Sequence, residues 1–196
     1  MVRVAVRRVN EWDGPSMLKI YTPYAGTAAA PEPQAPELQA YIQRIDQYTY
    51  GLGWLLCELD CHPAGFCHLT ENRHAPKDLF SVEFQLYVRE DCQRRGVGRA
   101  LWSLMRDIME EGNRREVFAR VHRENQKALD FFLAMGFQEA GEEEDQRVLR
   151  YALTPASPSE ERPTKPYLID KFVYEAARER AAGLVDAEGL ETEKIF

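Results

Sequence analysis

The chain opens on an alternation. Val2, Val4 and Val6 take one side and Arg3, Ala5 and Arg7 the other, which predicts a strand. From Asn10 to Tyr24 the spacing turns helical, with Met17, Leu18, Ile20 and Tyr21 on the apolar side. Gly26 to Pro36 is rich in alanine and proline and reads as a loop. Helical spacing resumes from Pro36 to Tyr48 through Leu38, Tyr41, Ile42 and Ile45. Two short apolar runs, Gly53 to Leu59 and Gly65 to Thr70, flank Asp60-Cys61-His62-Pro63 and predict a hairpin. Glu71 to Asp78 is polar and reads as an open loop. Leu79 to Val88 is a longer strand. Phe80, Val82, Phe84, Leu86 and Val88 share one face, and Ser81, Glu83, Gln85 and Tyr87 share the other.

The period then changes. Leu101, Leu104, Met105 and Ile108 repeat at helical spacing, and Gly112 caps them. Glu116 to Val121 is a short strand. Asn125 starts a compact helix through Ala128, Phe131, Phe132 and Met135, which Gly136 ends. Phe137 to Ala140 and Arg147 to Leu153 close the pattern as a strand pair. The acidic turn between them, Glu142 to Asp145, reads as a solvated loop and nothing more. Four prolines between Thr154 and Pro166 mark a linker. Tyr167 to Leu184 is helical again, with a stripe of Leu168, Ile169, Phe172, Val173, Ala176 and Ala177. The final dozen residues read as frayed. The chain thus divides into a domain over residues 1–153, a linker over 154–166 and a helical extension over 167–196. The fold class is α/β (α+β): a central, mostly antiparallel mixed sheet of about six to seven strands flanked by about four helices.

Composition narrows the function. A net charge of −7 and a pI near 5.2 disfavour nucleic acid as a partner, because no basic excess is available to displace counterions. No apolar run approaches the roughly 18–20 residues of a membrane-spanning helix, and the N-terminus has no apolar core of a leader. Four cysteines without an export signal suit a reducing compartment, so the cytoplasm is expected. Cys61-His62 and Cys67-His68 fit none of the common zinc spacings, and no metal is expected.

The chemistry concentrates in Gln93-Arg94-Arg95-Gly96-Val97-Gly98-Arg99-Ala100, between a strand and a helix. Gly96 and Gly98 let the backbone curl with its N–H groups bare. Those groups sit at a helix N-terminus, where the macrodipole is positive, and the arginines add charge. There is no Gly-Lys-Ser/Thr, and Leu101 stands where a dinucleotide fingerprint has its third glycine. A plain strand-to-helix turn would explain a bare Gly-x-Gly. The position after a long strand, with Asn125 opening a further helix, favours the phosphate reading.

Gln93-x-x-Gly96-x-Gly98 resembles the pyrophosphate signature of the GNAT superfamily of N-acetyltransferases. Asn125-x-x-Ala128-x-x-Phe131-Phe132-x-x-x-Gly136-Phe137, about thirty residues on, resembles its second signature. Ile20-Tyr21-x-Pro23, Thr27, Glu32, Pro36, Arg44-Ile45, Ser81-Val82-Glu83 and Tyr87-Val88 are similar to the phosphinothricin and amino-acid N-acyltransferase branch. The resemblance implies acetyl-CoA as donor. Its pyrophosphate would lie on the amides from Arg94 to Arg99, with Gln93 and Ala100 beside them, its pantetheine arm along Leu86-Tyr87-Val88, and its far part near Asn125 and Phe132. Phe132 stands where the family often has Tyr or His, and Pro31 where the branch has Phe. Arg73 stands for the substrate-loop arginine.

Acetyl transfer to an amine needs a deprotonated nucleophile, a donor for the developing oxyanion, and close placement. Glu83 is the expected general base, with Glu32 as a second carboxylate that grips the amine or replaces it. The Val88 N–H is the expected oxyanion donor. The acceptor is expected to be a small-molecule primary amine. A protein or peptide amine, or acyl-CoA binding without catalysis, would use the same features. The extension cannot be stable alone, so it must dock on its own domain or on a second copy as a homodimer.

Overall fold

The computed structural model describes residues 2–49 and 51–187. The expectation that the last residues fray falls mostly outside them. The elements run β1 (Val4–Arg8), α1 (Gly14–Tyr21), α2 (Leu38–Thr49), β2 (Trp54–Leu59), β3 (His62–Glu71), β4 (Ser81–Val88), α3 (Val97–Glu111), β5 (Glu116–His122), α4 (Gln126–Ala134), β6 (Gln138–Glu143), β7 (Gln146–Ala152) and α5 (Lys171–Ala182). One sheet holds seven strands in the order β1-β2-β3-β4-β5-β7-β6. Every neighbouring pair is antiparallel except β4 with β5. The fold class and element order match the pattern of the sequence; the fifth helix comes from the extension.

Local chemistry explains the joints. Asp60 and Cys61 both take positive φ (48° and 64°), which makes the two-residue turn whose twist suits a hairpin. Asn10 and Asp13 cap each other's backbone ahead of α1. The Asn125 side chain accepts from the Ala128 N–H and starts α4.

The two sheet faces have separate cores. Val82 and Phe84 of β4 meet Leu101, Leu104 and Met105 of α3 in the larger one. Each of those fully buried aliphatic side chains contributes about 1.5–3 kcal/mol. Tyr87 and Phe66 meet Met17, Ile20 and Tyr21 of α1 and Tyr41 and Ile45 of α2 in the smaller one.

The extension docks on its own domain. Tyr174, Ala177 and Ala181 are buried against α3 and β1, and Arg180 pairs with Asp107 of α3 at 3.1 Å. This corrects the phase of the predicted stripe. Ile169 and Ala177 face inward, but Leu168 and Phe172 are 61% and 83% exposed. The helix turns by its 3.6-residue period around Tyr174, which the linear pattern did not weight.

The acidic turn is also corrected. Glu142 and Glu143 belong to β6. Glu143 takes the Arg120 guanidinium and pairs with His74 Nε2 at 3.0 Å, so it anchors a loop.

Candidate active site

The site begins where β4 and β5 part. Their pairing runs only from Ser81–Glu116 to Glu83–Phe118. Beyond it β4 stays bonded to β3 on one side only. The Arg89 N–H donates to the Ala64 carbonyl, and Gly65 stands opposite Val88. Antiparallel pairing alternates, so the Tyr87 backbone bonds Phe66 while Leu86 and Val88 turn their N–H and C=O groups to the open side. The expectation for three successive residues is therefore corrected. Leu86 and the Val88 N–H face the open side for an extended arm; Tyr87 contributes its ring.

This gap widens into a cleft of about 1200 Å³. Leu86, Tyr87, Val88, Gln93, Arg94, Gly96, Gly98, Arg99, Asn125 and Phe132 line it, and so do Arg73, Glu83 and Arg120. Its far end is the turn into α3. Arg94 and Gly96 both take left-handed φ (62° and 83°). Residues alternating in this way gather N–H groups into a concave nest for anions. Gly96 is the N-cap of α3 and offers no side-chain cap. Among the described residues no backbone carbonyl accepts from the N–H groups of residues 96–99. Uncapped donors on the wall of a cleft, at the positive end of a 15-residue helix, fit a diphosphate.

Three expected contacts change here: Ala100 and Arg95 fall away, and Val97 keeps only its backbone N–H. The Ala100 N–H is spent on the Gly96 carbonyl at 2.8 Å. Val97 and Ala100 pack their side chains in the core, and Arg95 is not a wall of the cleft. A helix whose first turn faces a ligand must turn every third or fourth side chain inward, which is why these residues alternate with Gly98 and Arg99.

The opposite end of the cleft is built from side chains. Glu83 is 4% exposed. Its Oε1 accepts from the Arg73 backbone N–H at 2.9 Å, and its two oxygens hold the Arg73 guanidinium at 3.0 Å each. Arg120 Nε lies 3.3 Å from Oε1, and the Arg120 side chain is itself 5% exposed. Glu83 is thus a buried carboxylate between two guanidiniums. Arg73 commits its charge to Glu83 and orders the loop before β4.

Glu32 stands apart. It does not line the cleft. Arg44 grips both of its oxygens, at 2.8 and 3.1 Å, and the Tyr21 hydroxyl donates at 2.7 Å. Arg44 holds this carboxyl below its ordinary range. Its expected role at the amine is corrected to a brace between the loop after α1 and helix α2. Below it, His68 stacks on Trp54 at 4.0 Å, and burial lowers its pKa to about 3, so the ring is neutral.

Two residues were missed. Tyr24 donates its hydroxyl to the Val88 carbonyl and receives Gln93 Nε2 at 2.9 Å. Burial raises its pKa, so the phenol keeps its proton. Nothing in the spacing marks Tyr24, since it lies past the end of α1. Arg120 alternates with buried Val117, Ala119 and Val121, which reads as solvent-facing in any half-buried strand. Phe132 meets Phe84 edge-on at 6.1 Å and brings no proton to the cleft. Among the described residues no acidic, histidine or cysteine group is placed to hold a metal.

The sequence profile of the acetyltransferase (GNAT) family matches residues 15–137. The chain belongs to this family. Within it, a phosphinothricin N-acetyltransferase from Alcaligenes faecalis is 29% identical over 141 residues, covering 69% of this chain and 71% of that protein. Two solved GNAT-like structures share the fold. A phosphinothricin acetyltransferase from Sinorhizobium meliloti in complex with acetyl-CoA superposes with a TM-score of 0.72 at 18% identity, over 82% of this chain and 93% of that one. An acetyltransferase from Salmonella typhimurium with acetyl-CoA gives 0.71 at 19% identity, over 80% and 98%. The matched residues of this GNAT chain take in both signatures and end before β6; the extension lies outside them.

Proposed function

We propose that the protein is an N-acetyltransferase that moves an acetyl group from acetyl-CoA to a primary amine of a small molecule. The observation that carries this is the parted β4–β5 edge opening onto the uncapped start of α3. The printed name of the Alcaligenes relative and the acetyl-CoA in the two structures support the same reading. Acetyl-CoA would supply an activated thioester. The N–H groups of Gly96, Val97, Gly98 and Arg99 would hold its diphosphate, Leu86 would pair with its arm, and the Val88 N–H, whose carbonyl is already held by Tyr24, would serve the developing oxyanion. Asn125 and Phe132 close the side of the arm. Ala28, Ala29 and Ala30 line the same cleft.

Glu83 is the carboxylate that reaches the acceptor side, and it takes the amine proton. Its arginine partners favour a second role, in which it anchors Arg73 and the acceptor loop. Kinetics of Glu83→Gln separate them. As a base, its loss lowers kcat about 10²–10⁴-fold. As an anchor, it raises the KM of the amine and leaves kcat nearly unchanged. A direct thiol-release assay with acetyl-CoA and a panel of amines tests the function itself, and no turnover of any amine defeats it.

A homodimer remains part of the proposal, through the exposed Leu168 and Phe172 at the start of the extension. Solution mass is the test, and a monomer at every concentration removes it. The free cysteines fit a cytoplasmic setting.

A further inference from the structure

The extension does more than cover the domain. After α5 the chain turns at Gly183 and lays residues 184–186 against the turn into α3. A methyl group at Gly96 would sit 2.1 Å from the Leu184 carbonyl oxygen and 3.3 Å from Val185 Cα. The Asp186 N–H donates to the Arg95 carbonyl at 2.8 Å. None of residues 184–186 lines the cleft. They touch the turn at Gly96 and at the Arg95 carbonyl.

That hydrogen bond has a directional consequence. In a trans peptide the carbonyl and the following N–H point in opposite directions. Pinning the Arg95 carbonyl to the extension therefore turns the Gly96 N–H away from the extension. Glycine alone would let this peptide rotate, because both signs of φ are open to it. The contact with Leu184 and Val185 closes that freedom without a side chain.

The contact is firmly based. Ala177 and Ala181 are 2% and 0% exposed against α3, the helix whose first turn it supports. Arg180 ties α5 to Asp107 of α3, and the Tyr174 hydroxyl accepts the Arg8 N–H at 3.2 Å. Val185 packs against the larger core. Both ends of the contact are thus fixed to the same helix.

We infer that residues 184–186 are a positioning strap for the cofactor turn, holding Gly96 left-handed with its N–H aimed at the diphosphate. The inference rests on the reading of residues 94–99 as the diphosphate site. The strap acts on donor binding and leaves the reacting groups near Glu83 alone.

The test is CoA titrated by calorimetry into four proteins: the full chain, a chain ending at Gly183, and Gly96→Ala in each. The short chain should bind CoA about tenfold more weakly, the worth of a lost oriented hydrogen bond. Its KM for acetyl-CoA should rise by the same factor with kcat within about twofold. In the full chain Gly96→Ala should cost about 100-fold, from clash and left-handed strain together. In the short chain it should cost only the strain, about 5–30-fold. Equal costs of Gly96→Ala in both lengths, or CoA affinity unchanged by shortening, overturn the strap. If the short chain fails to fold, Asp186→Pro in the full chain decides. It removes the one N–H, and should weaken CoA about 3–10-fold; unchanged affinity overturns the strap. A wild-type chain that binds no CoA defeats the diphosphate reading instead, and the strap with it.

Discussion

On the α3 side of the sheet the cleft is made of backbone. On the α1–α2 side it is made of side chains. The turn at residues 94–99 presents peptide N–H groups at a helix start, and its side chains either point into the core or line the rim. The acceptor end presents Glu83, Arg73 and Arg120 in an ion-paired set, with Tyr24 bridging Val88 and Gln93. A diphosphate is the same in every donor molecule, and a fixed array of dipoles meets it without reorganisation. An acceptor amine differs from enzyme to enzyme, and side chains on loops can vary without disturbing the sheet.

The largest effect that would break this comparison is at Gly98. A Cβ there would lie 3.1 Å from both Leu86 and Phe131. Gly98→Val should lower CoA affinity on the order of 10–100-fold with the amine KM unchanged. Calorimetry with CoA reads it directly. A comparable loss in amine affinity would show that the two ends are not separate.

The next test concerns stability of the side-chain face. His68 titrates near 6.5 when unfolded and near 3 when folded, because burial disfavours its charged form. The folded state binds fewer protons in that window. Stability is whole above pH 6.5 and is lost as pH falls toward 3. The expected loss is about 2 kcal/mol at pH 5 relative to pH 7. The carboxyl of Glu32, held low by Arg44, adds a loss of the same sign only below its ordinary range. Urea unfolding of His68→Phe should lack the slope between pH 7 and 5 that wild type shows.

Arg73→Ala is a smaller test. It should raise the amine KM several-fold, in line with one charged hydrogen-bond set, and leave CoA affinity unchanged. The mildest test is on the cofactor side. Arg94→Ala and Arg99→Ala should each weaken CoA only about two- to fivefold, and less at high salt, because exposed charges are screened. If either exceeded Gly98→Val, side chains and not backbone would hold the diphosphate.

Much of this was legible along the chain. The alternation in Val82, Phe84 and Leu86 placed β4 and its two faces, because side-chain direction in a strand repeats every two residues. The glycines at 96 and 98 placed the anion turn, because only residues without a Cβ leave amides bare at a helix start. Local periods and backbone freedom are properties of consecutive residues, and sequence carries them. Tertiary structure decided the rest. Glu83 met Arg73 and Arg120 only once β4 lay beside β5 and the loop before it folded back. Glu32 left the acceptor side because Arg44, a turn and a helix away, claimed it. Gly96 is hemmed in by a segment nearly ninety residues later in the chain. Such pairings depend on which distant groups come within bonding reach, and spacing along a chain does not encode that distance.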